Sequence, residues 1–225
     1  MIAARKQNLI GDTLILLEHP PVLTLGRNSK RENILASDEL LARKGVELHE
    51  INRGGDVTYH GPGQLVGYPI VDLRGDLPGK TGPHLAPVDF VRLLEEVLIR
   101  TCGDFNVLTQ RIPKRTGVWT VPNGSVSEKK IAALGIHVSQ GVTSHGFAIN
   151  VTTDLRDFQW IVPCGISDRE VTSLELESPL DPPPTLDATL NSVVRNFGRI
   201  FGRQMVWCES LETLLAAPLL AQSVP

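Results

Sequence analysis

Cysteine is scarce in this chain of 225 residues, which contains only three. Cys102, Cys164 and Cys208 are odd in number, widely separated and outside any CxxC spacing. This pattern argues against a disulfide framework and against a zinc site. We therefore expect a protein without a structural metal that works in a reducing compartment, the cytoplasm.

Long apolar runs and a strong excess of one charge are also missing. Charged residues, glycine or proline interrupt every apolar run before the roughly 18 residues that a membrane helix needs. The basic start is followed by only two apolar residues, Leu9 and Ile10, which does not fit a signal peptide. The formal net charge of -3 gives no electrostatic basis for binding nucleic acid or a membrane.

The sequence does contain enough apolar material for a sizeable core. Hydrophobic residues make up 41% of the 225 positions, and this length favours one large domain. We expect residues 1–225 to form a single catalytic domain, with a tail at 218–225 that frays.

Hydrophobic periodicity predicts a mixture of strands and helices. Strand-like stretches lie at 14–17, 22–25, 46–51, 65–73, 117–121, 130–139, 145–151 and 205–207. Helical spacing and capping residues indicate helices at 37–44, 87–103 and 186–201, and a last one from about Leu211. The strands at 117–121, 130–139 and 145–151 follow one another as an antiparallel meander. Because the order is not strictly βαβ, the predicted class is α+β.

The strongest local signal is the segment 53–64, which reads Arg-Gly-Gly-Asp-Val-Thr-Tyr-His-Gly-Pro-Gly-Gln. Its glycines and proline force turns and let backbone approach a ligand closely, while its polar side chains offer hydrogen bonds. A tight turn between strands has the same composition, so the segment alone predicts either a turn or a binding loop. It fits neither the GxxxxGK[ST] nor the GxGxxG phosphate pattern.

Cys164 has the sequence context of an accessible thiol. It lies between Pro163 and Gly165, a rigid residue and a permissive one, which predicts a turn. Cys102 and Cys208 lack such neighbours, and we interpret them as packing residues. A lone cysteine is more often a buried hydrophobic residue than a nucleophile, so Cys164 is a candidate at this level.

A nucleophilic cysteine needs a neighbouring cation or base that lowers its pKa from about 8.5. Lys130, His60 and His145 are the candidates. Lys130 begins a predicted strand in which alternation places it on the face of Ala132 and Leu134, so we expect a partly desolvated amine able to act as a base. The histidines stand beside glycines, and the spacing leaves a Cys–His pair open as well.

Six segments that run in order through the chain together resemble the lipoate-biosynthesis octanoyltransferases. They are 19–27, 53–64, 117–119, 130–135, 144–151 and 163–165. The resemblance extends over most of the chain, from about residue 12 to 210. The family usually has a longer N-terminal segment, with a helix before the first strand, whereas here Met1 stands close to the strand predicted at 14–17.

The resemblance implies a fold and a set of site residues. The fold is a mixed, largely antiparallel sheet with flanking helices, as in the catalytic domains of biotin and lipoate protein ligases. Cys164 looks like the nucleophile that carries the acyl group, and Lys130 looks like its general acid and base. The walls of the acyl pocket would be formed by Arg53, Gly54, Gly55, Asp56, Val57, Thr58, Tyr59, His60, Ala133, Leu134, Gly135, His145, Gly146, Phe147 and Ala148.

By this resemblance, octanoyl-acyl carrier protein is the donor, and the acceptors are lipoyl domains of 2-oxoacid dehydrogenases and the glycine cleavage H protein. No cofactor is expected, because the amide product is more stable than the thioester that it replaces. Three alternatives stay open: an ATP-dependent lipoate or biotin protein ligase, a lipoyl amidotransferase and a non-catalytic acyl-binding protein.

Overall fold

The structure is a computed structural model that describes residues 1–124, 126–162 and 170–216. Cys164 with both its neighbours, and the tail expected to fray, lie outside the described residues. Nine strands occur in the described part: β1 Thr13–Leu17, β2 Val22–Leu25, β3 Glu47–Glu50, β4 Val57–His60, β5 Gln64–Ile70, β6 Thr109–Ile112, β7 Arg115–Thr120, β8 Lys130–Ser139 and β9 Val142–Asn150.

The strands form two sheets of unequal size. The large sheet has the order β1-β5-β9-β8-β7-β6, and all of its pairs are antiparallel. The small sheet has the order β3-β2-β4, in which β2 is parallel to β3 and antiparallel to β4. Each strand alternates its side chains between two faces, so each sheet presents two distinct surfaces.

Two long helices cover one face of the large sheet. The helices described are α1 Ile2–Lys6, α2 Asp38–Arg43, α3 Pro87–Asp104, α4 Leu174–Glu177, α5 Leu186–Phe201 and α6 Leu211–Ala216. Helix α3 begins with Pro87 at its first turn, where the missing N–H has no partner to lose. In α5 the Thr185 hydroxyl accepts from the N–H of Ala188, and Gly202 ends the helix with a φ of 61°.

The main core lies between these helices and the large sheet. Phe90 of α3 and Phe197 and Phe201 of α5 pack there against apolar side chains of β5, β8 and β9. A second core lies beneath the small sheet, where Leu23 and Tyr59 contact Trp160 and its neighbours. The space between the two sheets is therefore lined by the faces that neither core uses.

Most of the predicted elements are confirmed. The helix at 186–201 has the predicted bounds, the helix from Pro87 runs one residue past Gly103, and the three-stranded meander is β7-β8-β9. The strand predicted at 205–207 is wrong, because residues 203–210 have no strand pairing and Trp207 is 66% exposed. β4, β6 and α1 were not predicted from the periodicity. The α+β class with a largely antiparallel sheet is confirmed.

None of the helices in the described ranges has the length and apolar character needed to span a membrane. Within the same ranges, no group of three or more His, Cys, Asp or Glu residues is placed to hold a metal ion.

Candidate active site

A cleft lies between the small sheet and the face of the large sheet that is turned away from the helices. It encloses about 540 Å³ of empty space, including its open mouth.

The floor of the cleft is a row of small side chains that crosses three strands. Val66 of β5 pairs with Ala148 of β9, and Ala148 pairs with Ala133 of β8. All three line the cleft, whereas their strand neighbours Leu65 and Ile149 face the main core. The empty space above the floor follows from the two alanines, because any longer side chain there would project into it.

Most residues that the sequence suggested for a pocket wall do meet at this cleft. Those that line it are Arg53, Gly55, Asp56, Thr58, His60, Ala133, Leu134, Gly135, His145, Gly146, Phe147 and Ala148. Four further lining residues, Thr24, Ile51, Val66 and Tyr68, were not identified from the sequence. All four lie on predicted strands, but strand alternation alone does not tell which of the two faces of a strand borders a cleft.

Three suggested wall residues do not line the cleft. Along β4 the side chains of Thr58 and His60 point into it, so alternation sends Val57 and Tyr59 into the second core. The Tyr59 hydroxyl donates to Asp157 at 2.6 Å, and burial together with this bond raises the pKa of Tyr59. Gly54 contributes no lining atoms, and its N–H donates to the carbonyl of Ile136.

The lining glycines serve close backbone packing. A Cβ on Gly135 would lie 2.7 Å from the carbonyl oxygen of Gly54, and a Cβ on Gly146 would lie 2.1 Å from that of Gly67. Both distances are too short for a real contact, so the space beside these glycines is already filled. Room for a ligand comes from the alanine row instead.

Arg53 places a cation in the wall of the cleft. It is 8% exposed, and its Nη2 donates to the carbonyl of Thr24 at 2.6 Å and to the hydroxyl of Thr24 at 3.0 Å. Its Nη1 donates to the carbonyl of Gly54 at 3.1 Å. The guanidinium thus ties the segment after β3 to β2 of the small sheet.

His60 is held as a neutral imidazole. Burial, with smaller contributions from Arg53 and His19, lowers the pKa of His60 to about 4, although its hydrogen bond to Gln64 acts in the opposite direction. Its Nδ1 lies 2.7 Å from Gln64 Oε1 and its Nε2 lies 3.5 Å from the Thr24 hydroxyl. Burial also lowers the pKa of His19, whose Nε2 lies 2.6 Å from the Tyr68 hydroxyl.

His145 lies at the opposite end of the cleft from Lys130. It pairs with Ile136, six residues along β8 from Lys130, which at about 3.3 Å per residue is a separation of roughly 20 Å. Its Nε2 contacts Asn52 Oδ1 at 2.6 Å, and burial, Arg53 and His137 lower the pKa of His145. His145 is therefore too far away to act as a base beside Lys130.

A β-bulge turns Lys130 away from the face that alternation predicts. Val118 pairs with Ala132, but Trp119 pairs with Lys130, so β8 carries one extra residue at Ile131. A one-residue shift exchanges the faces of a strand, and the Lys130 amine accordingly lies 5.3 Å from the centre of the Trp119 ring. The predicted shared face with Ala132 is wrong, whereas the expected burial holds, since Lys130 is 7% exposed.

Gly117 makes room for the Lys130 side chain. A Cβ at this position would lie 2.7 Å from Lys130 Cε, and the φ of Gly117 is 136°. The glycine is itself held by α3, because its N–H donates to the buried carboxylate of Glu95 at 3.0 Å. Lys130 does not line the cleft but precedes Ala133 on β8, at the end where His60 lies. We refer to this end as the Lys130 end.

The chain on both sides of Cys164 is anchored, although Cys164 lies outside the described residues. The N–H of Val162 donates to the carbonyl of Asn33 at 2.8 Å. Beyond the gap, the N–H of Lys130 donates to the carbonyl of Glu170 and the N–H of Thr172 donates to the carbonyl of Lys130, both at 2.9 Å. Residues 170–172, the first described residues after the gap, therefore run beside Lys130.

The other two cysteines differ from each other. Cys102 is fully buried in the main core, and burial raises the pKa of its thiol to about 12, which excludes a thiolate at neutral pH. Its interpretation as a packing residue is confirmed. Cys208 is exposed, so the same interpretation is wrong for it.

Comparisons with known proteins agree with this architecture. Residues 1–198 match the family described as the lipoyl protein ligase A/B catalytic domain. The chain is 65% identical over 215 residues to an octanoyltransferase of Acidobacterium capsulatum, which is 96% of this chain and 87% of that protein. It is 55% identical over 218 residues to an octanoyltransferase of Koribacter versatilis, which is 97% of this chain and 83% of that protein.

Solved structures with the same fold are much more distant in sequence. A bipartite lipoate protein ligase of Thermoplasma acidophilum superposes with a TM-score of 0.65 at 17% identity, covering 96% of this chain and 85% of that one. A lipoate-protein ligase A solved with ATP superposes with a TM-score of 0.65 at 16% identity, covering 95% and 85%. The fold is thus that of the lipoate protein ligase catalytic domains. Within that class, the chain belongs to the octanoyltransferase family.

Proposed function

We propose that this protein transfers an octanoyl group from a carrier-bound thioester to a lysine of a lipoyl domain, by way of a thioester on Cys164. The observation that carries the proposal is the cleft with a floor of alanines, with Lys130 turned onto its side of the sheet, in a chain 65% identical to an octanoyltransferase. Burying the six methylene groups and the terminal methyl group of an octanoyl chain in such a cleft would contribute several kcal/mol, at about 0.8 kcal/mol for each methylene.

The first step loads the enzyme. The amine of Lys130 acts as the general base and takes the proton of the Cys164 thiol, and the thiolate attacks the carbonyl carbon of the donor thioester. A new carbon–sulfur bond forms to Cys164, the bond to the carrier breaks, and the proton returns from Lys130 to the departing carrier thiolate. One thioester replaces another, so this exchange is nearly balanced in free energy.

The second step forms the amide product and is irreversible in practice. The neutral amine of the acceptor lysine attacks the acyl-Cys164 carbonyl, and a carbon–nitrogen bond forms as the carbon–sulfur bond breaks. The proton lost by the nitrogen passes through Lys130 to the Cys164 thiolate, which restores both groups. The amide is more stable than the thioester, so the reaction needs no ATP.

The partners follow from the same reasoning. Octanoyl-acyl carrier protein supplies the acyl group, and the acceptors are the lipoyl domains of 2-oxoacid dehydrogenases and the glycine cleavage H protein. The reaction belongs to the cytoplasm, where such carriers and a reduced Cys164 coexist.

Intact-mass spectrometry after mixing the enzyme with octanoyl-acyl carrier protein tests the proposal. We expect a mass increase of one octanoyl group without ATP, its loss when a lipoyl domain is added, and no increase in Cys164→Ser. Cys208→Ser is the matched control, because Cys208 is also a cysteine but is exposed, and its substitution should leave loading unchanged. A strict requirement for ATP would instead establish a ligase, transfer only from an octanoylated or lipoylated protein would establish an amidotransferase, and binding without an adduct would establish an acyl-binding protein.

A further inference from the structure

Two buried amide side chains lie at the Lys130 end of the cleft. Gln64 of β5 and Asn150 of β9 are paired in the sheet and are 2% and 5% exposed. Their strand neighbours Leu65 and Ile149 belong to the apolar core. A buried amide lowers the stability of the fold unless each of its polar groups is hydrogen-bonded, so both side chains are expected to have specific partners.

The amides form a continuous relay. Asn150 Nδ2 donates to the carbonyl oxygen of Thr172 at 2.9 Å, and Gln64 Nε2 donates to Asn150 Oδ1 at 2.9 Å. Gln64 Oε1 lies 2.7 Å from Nδ1 of His60. The relay therefore joins the backbone that pairs with Lys130, through Thr172, to the imidazole that lines the cleft.

The carbonyl of Thr172, at one end of the relay, fixes the direction of every hydrogen bond in it. The carbonyl of Thr172 can only accept, so the Asn150 amide must present its nitrogen there and its oxygen to Gln64. Gln64 must then present its nitrogen to Asn150 and its oxygen to His60. His60 consequently carries its proton on Nδ1 and turns an unprotonated Nε2 towards Thr24 and the cleft.

We propose that Gln64 and Asn150 are positioning residues that hold His60 in the tautomer with a bare Nε2, so that this atom accepts a hydrogen bond from the acceptor amine as it attacks. This inference rests on the proposed octanoyl transfer, and it adds to that reaction a hydrogen bond between His60 and the acceptor amine. Lys130 exchanges protons with Cys164, and His60 orients the lone pair of the incoming nitrogen.

The groups that face His60 are compatible with this role. Arg53 and His19 are the charged and titratable neighbours that act on it, and both disfavour a second proton on the ring. Thr24 lies on the Nε2 side, where its hydroxyl accepts from Arg53 and donates its own proton to Nε2 over a long distance of 3.5 Å. An incoming amine would replace this long hydrogen bond at Nε2 with a shorter one.

Nitrogen-15 NMR of the His60 ring tests the relay without any reaction. We expect the Nδ1-protonated tautomer in the unaltered protein, and a shift towards the Nε2-protonated tautomer in Gln64→Leu and Asn150→Asp. Thr143→Val is the matched control, because Thr143 is buried in β9 and donates to the Pro69 carbonyl outside the relay. A Nε2-protonated ring in the unaltered protein would overturn the inference.

Kinetics of octanoyl transfer test the role. Gln64→Leu and Asn150→Asp should lower kcat for transfer to the lipoyl domain by about 10- to 100-fold, the usual effect of removing a group that orients a working residue, with little change in the rate of Cys164 loading. A loss no greater than that of Thr143→Val, or an equal loss in both steps, would refute the proposal. Failure of the unaltered protein to load octanoate would refute the proposed function and leave the NMR result standing.

Gln64→Glu separates positioning from simple support of the fold. A carboxylate still accepts from Nδ1, so the tautomer is kept, but its charge raises the pKa of His60. Transfer should then fall at a mildly acidic pH at which the unaltered protein still works, and recover as the pH rises. A pH profile of unchanged shape would count against a role for Nε2.

Discussion

At the residue scale, Ala148 controls the depth of the cleft. It lies in the middle of the floor, between Val66 and Ala133. We predict that Ala148→Leu shortens the acyl chain that fits. If three methylene groups lose their place, the loss is about 2.4 kcal/mol, or roughly 50-fold in kcat/KM, at about 0.8 kcal/mol each.

Competition between octanoyl and butanoyl donors measures this effect directly. The ratio of their kcat/KM values should fall in Ala148→Leu and stay close to the original in Ala148→Gly, which keeps the space open. If both donors lose activity equally in the leucine variant, the alanine row does not hold the acyl chain.

Lys130 shows how far a single residue can be predicted from sequence. Its burial followed from a strand start among apolar residues, and that expectation holds. The sheet face on which its side chain lies could not be predicted. The extra residue at Ile131 exchanges the two sides of the strand only where β8 meets Trp119 of β7. A bulge depends on the partner strand, and no local pattern in 130–139 reports it.

At the scale of elements, α3 fixes the strand on which Gly117 lies. The Glu95 side chain is fully buried and accepts from Arg92 at 2.6 Å, from Arg111 at 3.2 Å and from the N–H of Gly117. Glu95→Ala would leave the buried N–H of Gly117 without its partner, whereas the partly exposed Arg92 and Arg111 can turn to water, so we predict a loss of about 1–3 kcal/mol in the free energy of unfolding.

Glu96→Ala is the matched control for this prediction. Glu96 is the next residue of the helix, and its ion pairs with Arg100 and Arg111 are partly exposed, so its loss should cost about 1 kcal/mol or less. Urea unfolding followed by circular dichroism gives both values. Equal midpoints for the two variants would show that α3 does not anchor β7 through Glu95.

Elements with strong local signals were predictable, and those without them were not. Helix α3 begins at Pro87, helix α5 is capped by Thr185 and Gly202, and both have an apolar stripe, so their bounds follow closely from sequence alone. β4 is only four residues long inside a glycine-rich segment, and it becomes a strand because it pairs with β2. The segment at 205–207 has strand composition but no pairing partner, and it forms no strand.

At the scale of the whole molecule, the buried histidine makes stability depend on pH. The pKa of His60 is about 4 in the folded chain, against about 6.5 for a freely hydrated histidine. Between these values the unfolded chain binds the extra proton, so the free energy of unfolding falls as the pH drops from about 6.5 to about 4, by at most about 1.4 kcal/mol per pH unit. Burial acts in the same direction on His19 and His145.

Chemical unfolding at pH 4.5 and 6.5 tests this linkage. We predict that His60→Asn weakens the fall in stability between these two pH values. His49→Asn, at an exposed position on β3, should leave the fall unchanged. A His60 variant that keeps the full pH dependence would show that the imidazole is not held neutral by burial.

The sequence by itself determined the class of the fold, the long helices, the meander and the segments that meet at the cleft, because these depend on local periodicity and on residue types that stand together along the chain. The tertiary structure alone decided which face each of these segments presents. The alanine row, the turned Lys130 and the relay from Thr172 to His60 all arise from register between strands distant in sequence. Register is fixed by the packing of the whole sheet, and one residue of shift exchanges the two faces of a strand.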